Sequence, residues 1–239
     1  IITFDMGGTT AKLGAVDDGI PAITPTFEVD PIRYRPGSGL PISVPAIELL
    51  EIGAGGGSIA RTEFGVIHIG PESAGADPGP ICYGLGGQRP TITDANLVLG
   101  YLNPNFFNGG AMTLNVEAAK AGIARDIGEP LELDIDRAAW GIHAVANANM
   151  EKAMRIVSVE RGRDPRRYSL VAFGGAGPVH AARLAKSIGI PKVVVPFGAG
   201  VGSAIGLLRA EPKIDTSITR VLEVVAESHS VIAEIYLKL

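Results

Sequence analysis

Short apolar runs that end at glycine clusters recur along the chain. Three of these runs are followed by DMGGTT at 5–10, GAGGGS at 53–58 and GGAG at 174–177. Short continuous apolar runs are typical of strands buried in a sheet, and glycines end them. The pattern predicts strands of one sheet whose ends carry glycine-rich turns.

The third cluster opens a strand, turn and helix. After GGAG, Pro178 suits the first helical position, and apolar residues recur near 3.6-residue spacing down to Gly189. A helix that begins behind glycines at the carboxyl end of a strand presents free backbone N–H groups and its positive dipole end, which suits a phosphate or nucleotide. A tight connection between strand and helix accounts for the same residues equally well.

Two shorter segments combine helical spacing with capping residues. Thr93-Asp94 precedes a segment at 95–102, and Asn115 precedes one that runs to Ile127. The chain therefore contains predicted helices as well as predicted strands. This combination predicts an α/β fold.

The longest predicted helix runs from Asp134 or Asp136 to Glu160 and carries one apolar stripe. His143 lies beside this stripe, and Asn147 interrupts it. Because buried polar groups are normally hydrogen-bonded, we interpret both as satisfied core or boundary residues rather than ligands.

The composition is that of a globular protein with little net charge. Of the 239 residues 46% are hydrophobic, and 21 Lys and Arg stand against 25 Asp and Glu, a net charge of −4. This balance gives no reason to expect nucleic acid or an anionic membrane as a partner. The single cysteine, Cys82, excludes a disulfide framework and a multi-thiolate metal site, and it fits a reducing cytoplasm.

The first glycine cluster has the chemistry of a phosphate-binding hairpin. Gly7 and Gly8 let the backbone approach a phosphate closely. Thr9 and Thr10 can donate hydroxyl and N–H groups to its oxygens, and Asp5 can hold a hydrated magnesium ion or orient a water. The alternative is a β-turn that uses glycine for positive φ and Asp and Thr as local hydrogen-bonding groups.

The second cluster contains three consecutive glycines, Gly55, Gly56 and Gly57. Glycine is costly to order, so a structure that needs only a turn seldom uses so many. An anion-binding nest or a close crossing of strands explains them.

Two turn-rich segments are candidates for loops that contact a ligand. The loop at 70–80, GPESAGADPGP, is either a site loop or an Ω-loop held by Asp77 accepting backbone N–H bonds. The proline-rich segment at 30–45 is predicted to be a surface flap. Its Arg33 and Arg35 either close over a ligand or face solvent.

The segment FGAGVGSAIG at 197–206 invites comparison with a dinucleotide-binding fingerprint. In the frame Gly198, Gly200, Ser203 the third glycine is absent, and nothing about 20 residues after the strand suits the ribose hydroxyls. Small residues that let a helix pack closely explain this segment better.

Six motifs occur in the order that is found in one family. They are DMGGTT, GAGGGSIA, GPESAGADPGPICYGLGG, TDANLVLG, SVERGRDPRRYSLVAFGGAGPVHAA and PFGAGVGSAIG. They cover nearly the whole chain and resemble the hydantoinase A and oxoprolinase family. The resemblance implies a ribonuclease-H-like fold of the actin and hexokinase ATPase type, with a mixed sheet, helices on both faces and ATP between two lobes.

The resemblance also implies roles for individual residues. Asp5 and Thr9 are predicted to be catalytic, and the predicted nucleotide contacts are Gly7, Gly8, Thr9, Thr10, Gly55, Gly56, Gly57, Gly174, Gly175, Ala176 and Gly177. Mg²⁺ is expected at Asp5, with Asp77 as a second candidate ligand. Residues 48–51, ELLE, lack the histidine that many relatives carry there, so the resemblance does not extend to a metal site in that strand.

The family usually has an earlier DxGGT-type hairpin in a preceding domain, and no second copy occurs in this sequence. Residues 5–10 are therefore expected to be the second phosphate loop. Residues 1–239 are expected to be a core domain from a longer chain, with an incomplete nucleotide site.

The reaction implied by the resemblance is ATP-dependent hydrolysis of a cyclic amide such as a hydantoin, 5-oxoproline or a related lactam. ATP would phosphorylate the amide carbonyl oxygen, which removes the amide resonance and supplies a leaving group. The sequence shows no Ser-His-Asp arrangement and no histidine cluster of a metal hydrolase.

The resemblance further implies a hydantoinase B-type subunit or domain as the partner, and it leaves self-association of the chain open. Two other functions stay open beside the cyclic amidase. One is an ATP-dependent ketone carboxylase subunit, and the other is a noncatalytic nucleotide-binding module.

Overall fold

The computed structural model describes residues 1–29, 37–212, 214, 216, 218–223, 225 and 228–238. These residues form two compact units, Ile1–Ser203 and Ala204–Leu239. The candidate site lies entirely in the first unit, and the second contains a helix at Ser228–Tyr236.

The strands carry the following bounds. They are β1 (Ile2–Met6), β2 (Ala11–Asp17), β3 (Ile20–Pro21), β4 (Ile23–Thr24), β5 (Phe27–Val29), β6 (Leu40–Ile42), β7 (Ala46–Ile47), β8 (Leu49–Ile52), β9 (Ser58–Glu63), β10 (Val66–Ser73), β11 (Ser169–Phe173) and β12 (Lys192–Val194).

The helices are α1 (Ile92–Val98), α2 (Val116–Ile123), α3 (Glu129–Leu131), α4 (Ile135–Val157), α5 (Gly177–Ile188), α6 (Gly202–Arg209) and α7 (Ser228–Tyr236). A π-helical turn, Ala124–Gly128, joins α2 to α3. Throughout the described part of the chain, every helix is too short or too polar to cross a membrane.

The central sheet is mixed, as the sequence predicts. Its strands follow the order β12, β11, β1, β2 and β3, and β8 pairs with β2 as well. β1, β11 and β12 are parallel, whereas β2 runs antiparallel to β1 and to β8. In this register Phe4 lies between Leu13 and Ala172. The three apolar side chains therefore share one face of the sheet.

The two faces of this sheet differ in burial. Along β1, Ile2, Phe4 and Met6 are fully buried, whereas Thr3 and Asp5 are partly exposed. Helices α4 and α5 pack on the buried face and join its apolar side chains in one core. The first residue of α6, Gly202, lies against the Phe173 ring on the less buried face, so helices on both faces stay a prediction.

The helix boundaries follow from their caps. Helix α1 begins at Ile92, three residues before the predicted start, because Thr91 caps it and Asp94 completes a capping box from the third helical position. Asn115 and Asp134 cap α2 and α4 as predicted, through bonds that their side chains accept. Gly189 ends α5 at φ +81°, a conformation that favours glycine.

The predicted flap at 30–45 is only partly within the described residues. Residues 30–36, which include Arg33 and Arg35, lie outside them. In the described part, β6 pairs antiparallel with β5, and the Glu28 carboxylate accepts hydrogen bonds from the amides of Gly37 and Gly39 at 2.7 and 3.2 Å. This part of the segment is therefore a β-ribbon.

Candidate nucleotide site

The three glycine clusters meet at one edge of the central sheet. The Gly56 amide donates to the Gly7 carbonyl at 2.9 Å, and the Ala176 amide donates to the Met6 carbonyl at 2.9 Å. β1 and β11 are parallel neighbours, so the loops that follow them emerge at the same edge. The sequence prediction of strands of one sheet that end in glycine-rich turns agrees with this geometry.

The first loop is a tight hairpin between β1 and β2. The Gly7 amide donates to the Thr10 carbonyl at 3.1 Å. Gly8 and Thr9 are exposed, and their amides donate to no group in the described part of the chain. Two successive N–H groups therefore face solvent, as an anion-binding loop requires.

The three glycines of the second loop lie buried beneath this hairpin. The Gly57 amide donates to the Gly8 carbonyl at 2.6 Å, and the Gly55 amide donates to Ser58 Oγ at 2.9 Å. A Cβ at Gly55 would lie 2.4 Å from the Thr9 amide nitrogen. Because these amides already have partners, the geometry favours the close-crossing alternative. The assignment of Gly55, Gly56 and Gly57 as direct nucleotide contacts stays a prediction.

The loop after β11 is held tightly against the end of β1. Gly174 has φ +80°, and a Cβ there would lie 2.4 Å from Asp5 Oδ1 and 2.4 Å from the Met6 carbonyl oxygen. Gly177, the first residue of α5, also lies against β1, where a Cβ would be 3.4 Å from the Met6 amide nitrogen and the Phe4 carbonyl oxygen. Gly175 is exposed, and its amide donates to nothing among the described residues. It adds a third available N–H group to the edge.

The segment after β12 closes the site beside Asp5. Ser203 Oγ donates to Asp5 Oδ2 at 2.7 Å. A Cβ at Gly202 would lie 3.0 Å from the Phe173 ring, and the Gly174 amide donates to the Ala199 carbonyl at 2.8 Å. The small residues of this segment therefore serve close packing, which is the alternative that the sequence favours over a dinucleotide fingerprint.

The two candidate metal ligands lie on separate loops. Asp5 ends β1 at the site, whereas Asp77 is exposed in the loop after β10, and the Ala74 amide ties that loop to the Gly57 carbonyl at 2.8 Å. No cluster of three or more His, Cys, Asp or Glu side chains that could hold a metal occurs within the described residues. Mg²⁺ bound to a nucleotide commonly uses one or two carboxylates together with phosphate oxygens and water, so the single carboxylate of Asp5 fits that ion.

Lys12 is a functional candidate that the sequence reasoning missed. Its Nζ donates to Thr10 Oγ1 at 3.3 Å and lies 3.3 Å from Glu51 Oε1. Lys12 pairs with Asp5 across the β1 and β2 ladder, so both side chains occupy the partly exposed face. The alternation of side chains along β2 could have revealed this cation. Leu13 points to the buried face of the sheet, so its neighbour Lys12 points to the other face.

Asp94 and Cys82 have structural roles. Asp94 is fully buried, and its carboxylate accepts hydrogen bonds from the amides of Thr91 and Cys82 at 2.9 and 2.8 Å. Burial, together with the nearby Asp94 charge, raises the pKa of the Cys82 thiol far above its ordinary value. The thiol is therefore inert as a nucleophile.

These features define a class of protein: an α/β domain with a candidate anion site at the carboxyl end of neighbouring parallel strands. The sequence model of the hydantoinase/oxoprolinase family matches residues 1–216, and the chain belongs to that family. The resemblance drawn from the six motifs is thereby confirmed.

Caprolactamase subunit alpha of Pseudomonas jessenii is 43% identical over 220 residues, which cover 92% of this chain and 30% of that subunit. The crystal structure of the ATP-dependent caprolactamase from Pseudomonas jessenii matches with a TM-score of 0.74 and 43% identity, over 86% of this chain and 29% of that one. The nucleotide-free structure of acetone carboxylase, an enzyme of ATP-dependent acetone carboxylation, matches with a TM-score of 0.75 and 32% identity, over 86% and 28% of the two chains. The chain thus spans less than a third of each of these relatives.

Proposed function

We propose that this chain is the nucleotide-binding part of an enzyme that uses ATP to hydrolyse a cyclic amide. The observation that carries the proposal is the convergence of three glycine loops, with the unpartnered amides of Gly8, Thr9 and Gly175 at one sheet edge. Membership of the hydantoinase/oxoprolinase family supports it, as does the similarity to a caprolactamase, because caprolactam is a cyclic amide. A hydantoin, 5-oxoproline or another lactam is the proposed substrate class.

We also propose that the sheet is that of a ribonuclease-H-like ATPase. The support is the strand order β8, β2, β1, β11 and β12, in which an antiparallel meander of three strands is continued by two parallel ones. In this arrangement the hairpin between β1 and β2 and the loop after β11 face a nucleotide from two sides.

The proposed phosphate contacts are the amides of Gly8 and Thr9 and the hydroxyls of Thr9 and Thr10. Lys12 Nζ, next to Thr10 Oγ1, would neutralise phosphate charge. The loop at 174–177 is the proposed adenosine contact. Mg²⁺, held by Asp5, would supply charge neutralisation at the β- and γ-phosphates.

The chemistry that this site serves is the activation of a stable amide. The carbonyl oxygen attacks the γ-phosphorus and ADP leaves, which gives a carbon that water can attack. Water adds to that carbon, the ring C–N bond breaks as the nitrogen takes a proton, and a second water releases phosphate. The chain contributes position and charge stabilisation, with Asp5 and Thr9 as the proposed catalytic residues at the transferred phosphoryl group.

Two further proposals concern the surroundings of the chain. A B-type partner subunit is proposed, with support from the subunit name of the related caprolactamase. A cytoplasmic location is proposed as well, and the buried, unpaired Cys82 is consistent with a reducing compartment.

A ketone carboxylase subunit is the second candidate function, because the acetone carboxylase structure is similar over most of the chain. The test is ATP hydrolysis by the full-length protein with its partner, in the presence of hydantoin, 5-oxoproline or caprolactam, or of acetone with bicarbonate. Stimulation by one of the cyclic amides is expected. If only acetone with bicarbonate stimulates ATP hydrolysis, the cyclic amidase is refuted and the ketone carboxylase is favoured.

The catalytic role of Asp5 is tested by Asp5→Asn, with Asp18→Asn in the exposed turn after β2 as the matched control. Asp5→Asn is expected to lower ATP turnover at least about a hundredfold, within the range that removal of one electrostatic group costs an active site. Turnover in Asp5→Asn equal to that in Asp18→Asn would refute the catalytic role of Asp5.

A further inference from the structure

Four polar side chains lie together in the apolar core between α1, α4 and α5. They are Asn96 of α1, His143 and Asn147 of α4, and His180 of α5, and each is at most 4% exposed. A buried polar group without a partner lowers stability, so the bonds within this cluster help to hold the three helices together. Among the described residues, Asn147 Oδ1 is the buried side-chain atom of the cluster without a hydrogen-bond partner. The proposed reaction uses none of these residues.

His180 is the residue that joins the three helices. Its Nε2 lies 3.2 Å from the Asn96 amide, and its Nδ1 lies 3.2 Å from Asn147 Nδ2. The other end of the Asn96 amide lies 2.8 Å from His143 Nδ1, and the two imidazole rings stack with centroids 4.7 Å apart. The Nε2 atom of His180 therefore contacts α1, and its Nδ1 atom contacts α4.

One arrangement of protons satisfies these contacts. Asn147 Nδ2 donates to the His143 carbonyl at 2.7 Å, so this end of the amide is a donor. A neutral His180 accepts from the same donor at Nδ1 and carries its proton on Nε2. In the structure Asn96 Nδ2 faces His180 Nε2 and Asn96 Oδ1 faces His143 Nδ1. A half-turn of this amide, which exchanges two groups of nearly equal shape, lets its oxygen accept the His180 proton and its nitrogen donate to His143.

Hydrogen bonds connect the α1 side of the cluster to the phosphate hairpin. Thr93 lies three residues before Asn96, and its amide and hydroxyl donate to the Gly56 carbonyl at 2.8 and 2.9 Å. Gly56 in turn donates to the Gly7 carbonyl at 2.9 Å. Helix α1 therefore holds the loop on which the hairpin rests.

On the α5 side, the cluster lies one helical turn from the loop at 174–177. His180 lies three residues after Gly177, which packs on the backbone of β1. Ala176, just before the helix, donates to the Met6 carbonyl at 2.9 Å. The position of α5 therefore fixes the position of the second ligand loop.

We propose that His180 is a positioning residue: its Nε2 bond to Asn96 fixes the distance between the phosphate hairpin and the loop at 174–177. This inference rests on the proposed function for its consequence, which is the affinity for MgATP. The bond joins two helices whose first turns lie beside the site, α1 at the loop beneath the hairpin and α5 at the loop at 174–177. Its loss would let the loops move apart while the apolar core of the sheet remains packed.

The test uses two substitutions in the full-length protein. In His180→Gln the side-chain amide reaches the place of Nε2 and keeps the contact with Asn96. In His180→Asn the shorter amide reaches only the place of Nδ1 and keeps the contact with Asn147. The two variants are similar in polarity, and each loses one contact of the same length.

The two variants are expected to differ in their affinity for MgATP. His180→Asn raises the Kd and KM for MgATP about tenfold or more, because the loops lose the bond that holds them in place, while kcat changes less. His180→Gln keeps both constants within about threefold of the original. Equal losses of affinity in the two variants, or losses that follow the melting temperature, would overturn the proposal.

Amide hydrogen exchange without nucleotide separates this inference from the proposed function. His180→Asn is expected to speed exchange at Ala176 and Gly56 relative to His180→Gln, with no difference in the core of α4. This outcome together with an absence of ATP binding by the original protein would refute the proposed function and keep the positioning role. The same exchange rates at both amides in both variants would refute the positioning role.

Discussion

The glycines of the site differ in how much space surrounds them, and therefore in whether a larger residue would fit. A Cβ at Gly55 would lie 2.4 to 2.5 Å from backbone atoms of Gly8 and Thr9, whereas a Cβ at Gly8 has no neighbour within 4 Å. Packing therefore requires glycine at position 55. Gly8 has no such neighbours and lies where a phosphate is proposed to bind.

We expect Gly55→Ala to lower the free energy of unfolding by about 1–3 kcal/mol, because overpacked backbone has to move. Gly8→Ala should keep the unfolding free energy within about 0.5 kcal/mol and still weaken MgATP binding, since its methyl group occupies the anion side of the hairpin. Urea unfolding and calorimetric titration measure the two effects. A Gly8→Ala protein with the original ATP affinity would argue against a phosphate at this turn.

The buried Asp94 stabilises more than a helix end. Its carboxylate accepts bonds from the backbone amides of Thr91, next to α1, and of Cys82, in an earlier turn, whereas the exposed cap Asn115 accepts one bond, from Ala118. Asn115→Ala should cost about 1 kcal/mol. Asp94→Ala should cost at least about twice as much, because buried amides lose their acceptor. Equal losses in urea unfolding would contradict this view of Asp94.

At the scale of elements, the junction of α1, α4 and α5 makes the protein sensitive to acid. Burial lowers the pKa of His143 to about 4, with a contribution from Arg183, and lowers the pKa of His180 to about 3, with a contribution from His143. The unfolded chain takes up these protons near pH 6.5, while the folded chain resists them. Stability from both imidazoles is therefore present above pH 6.5 and is lost as the pH falls through about 4 and about 3.

We expect the free energy of unfolding to fall steadily from pH 6.5 to pH 4, as measured by urea unfolding at several pH values. His143→Gln combined with His180→Gln should flatten this slope, because amide side chains do not titrate. The difference between the two proteins isolates the imidazoles from the carboxylates that also protonate in acid. An identical slope in both proteins would show that the histidines do not govern acid stability.

Elements that depend on local signals could be predicted from the sequence. The apolar runs that end at glycines identified β1, β11 and the start of α5, and Asn115 and Asp134 identified two helix starts. The start of α1 was misplaced because Thr93-Asp94 looked like a cap, while the actual capping box begins at Thr91.

Features that depend on tertiary contacts could not be predicted in the same way. The burial of Gly55, Gly56 and Gly57 beneath the hairpin follows from the pairing of β8 with β2, which no local pattern specifies. The bond between Asn96 and His180 joins residues 84 positions apart. The sequence suggested only that His143 and Asn147 were satisfied polar groups.

At the scale of the whole molecule, the sheet has one apolar buried face and one face that carries charge. Asp5, Lys12 and Glu51 lie side by side on the second face across three neighbouring strands. A polar ligand is therefore expected to approach from this side. The net charge of −4 gives no attraction for a nucleotide over the molecule as a whole, so the local cation matters.

Lysine acetylation tests this direction of approach. The Lys12 side chain is 43% exposed and paired with Glu51, and the Lys120 side chain is 42% exposed and paired with Glu117. MgATP should slow acetylation of Lys12 several-fold and leave Lys120 unchanged, as measured by peptide mass spectrometry. Equal protection of both lysines would indicate a general change in the protein rather than a ligand at the hairpin.

The open surroundings of Gly7, Gly8 and Gly175, where an added Cβ would meet nothing within 4 Å, have a consequence for how specificity can change. Random substitution at these three positions would yield mostly folded variants that differ in what they recognise. Random substitution at the glycines underneath would yield mostly unfolded ones. Ligand specificity can therefore evolve through substitutions at Gly7, Gly8 and Gly175 while the buried glycines beneath them stay unchanged.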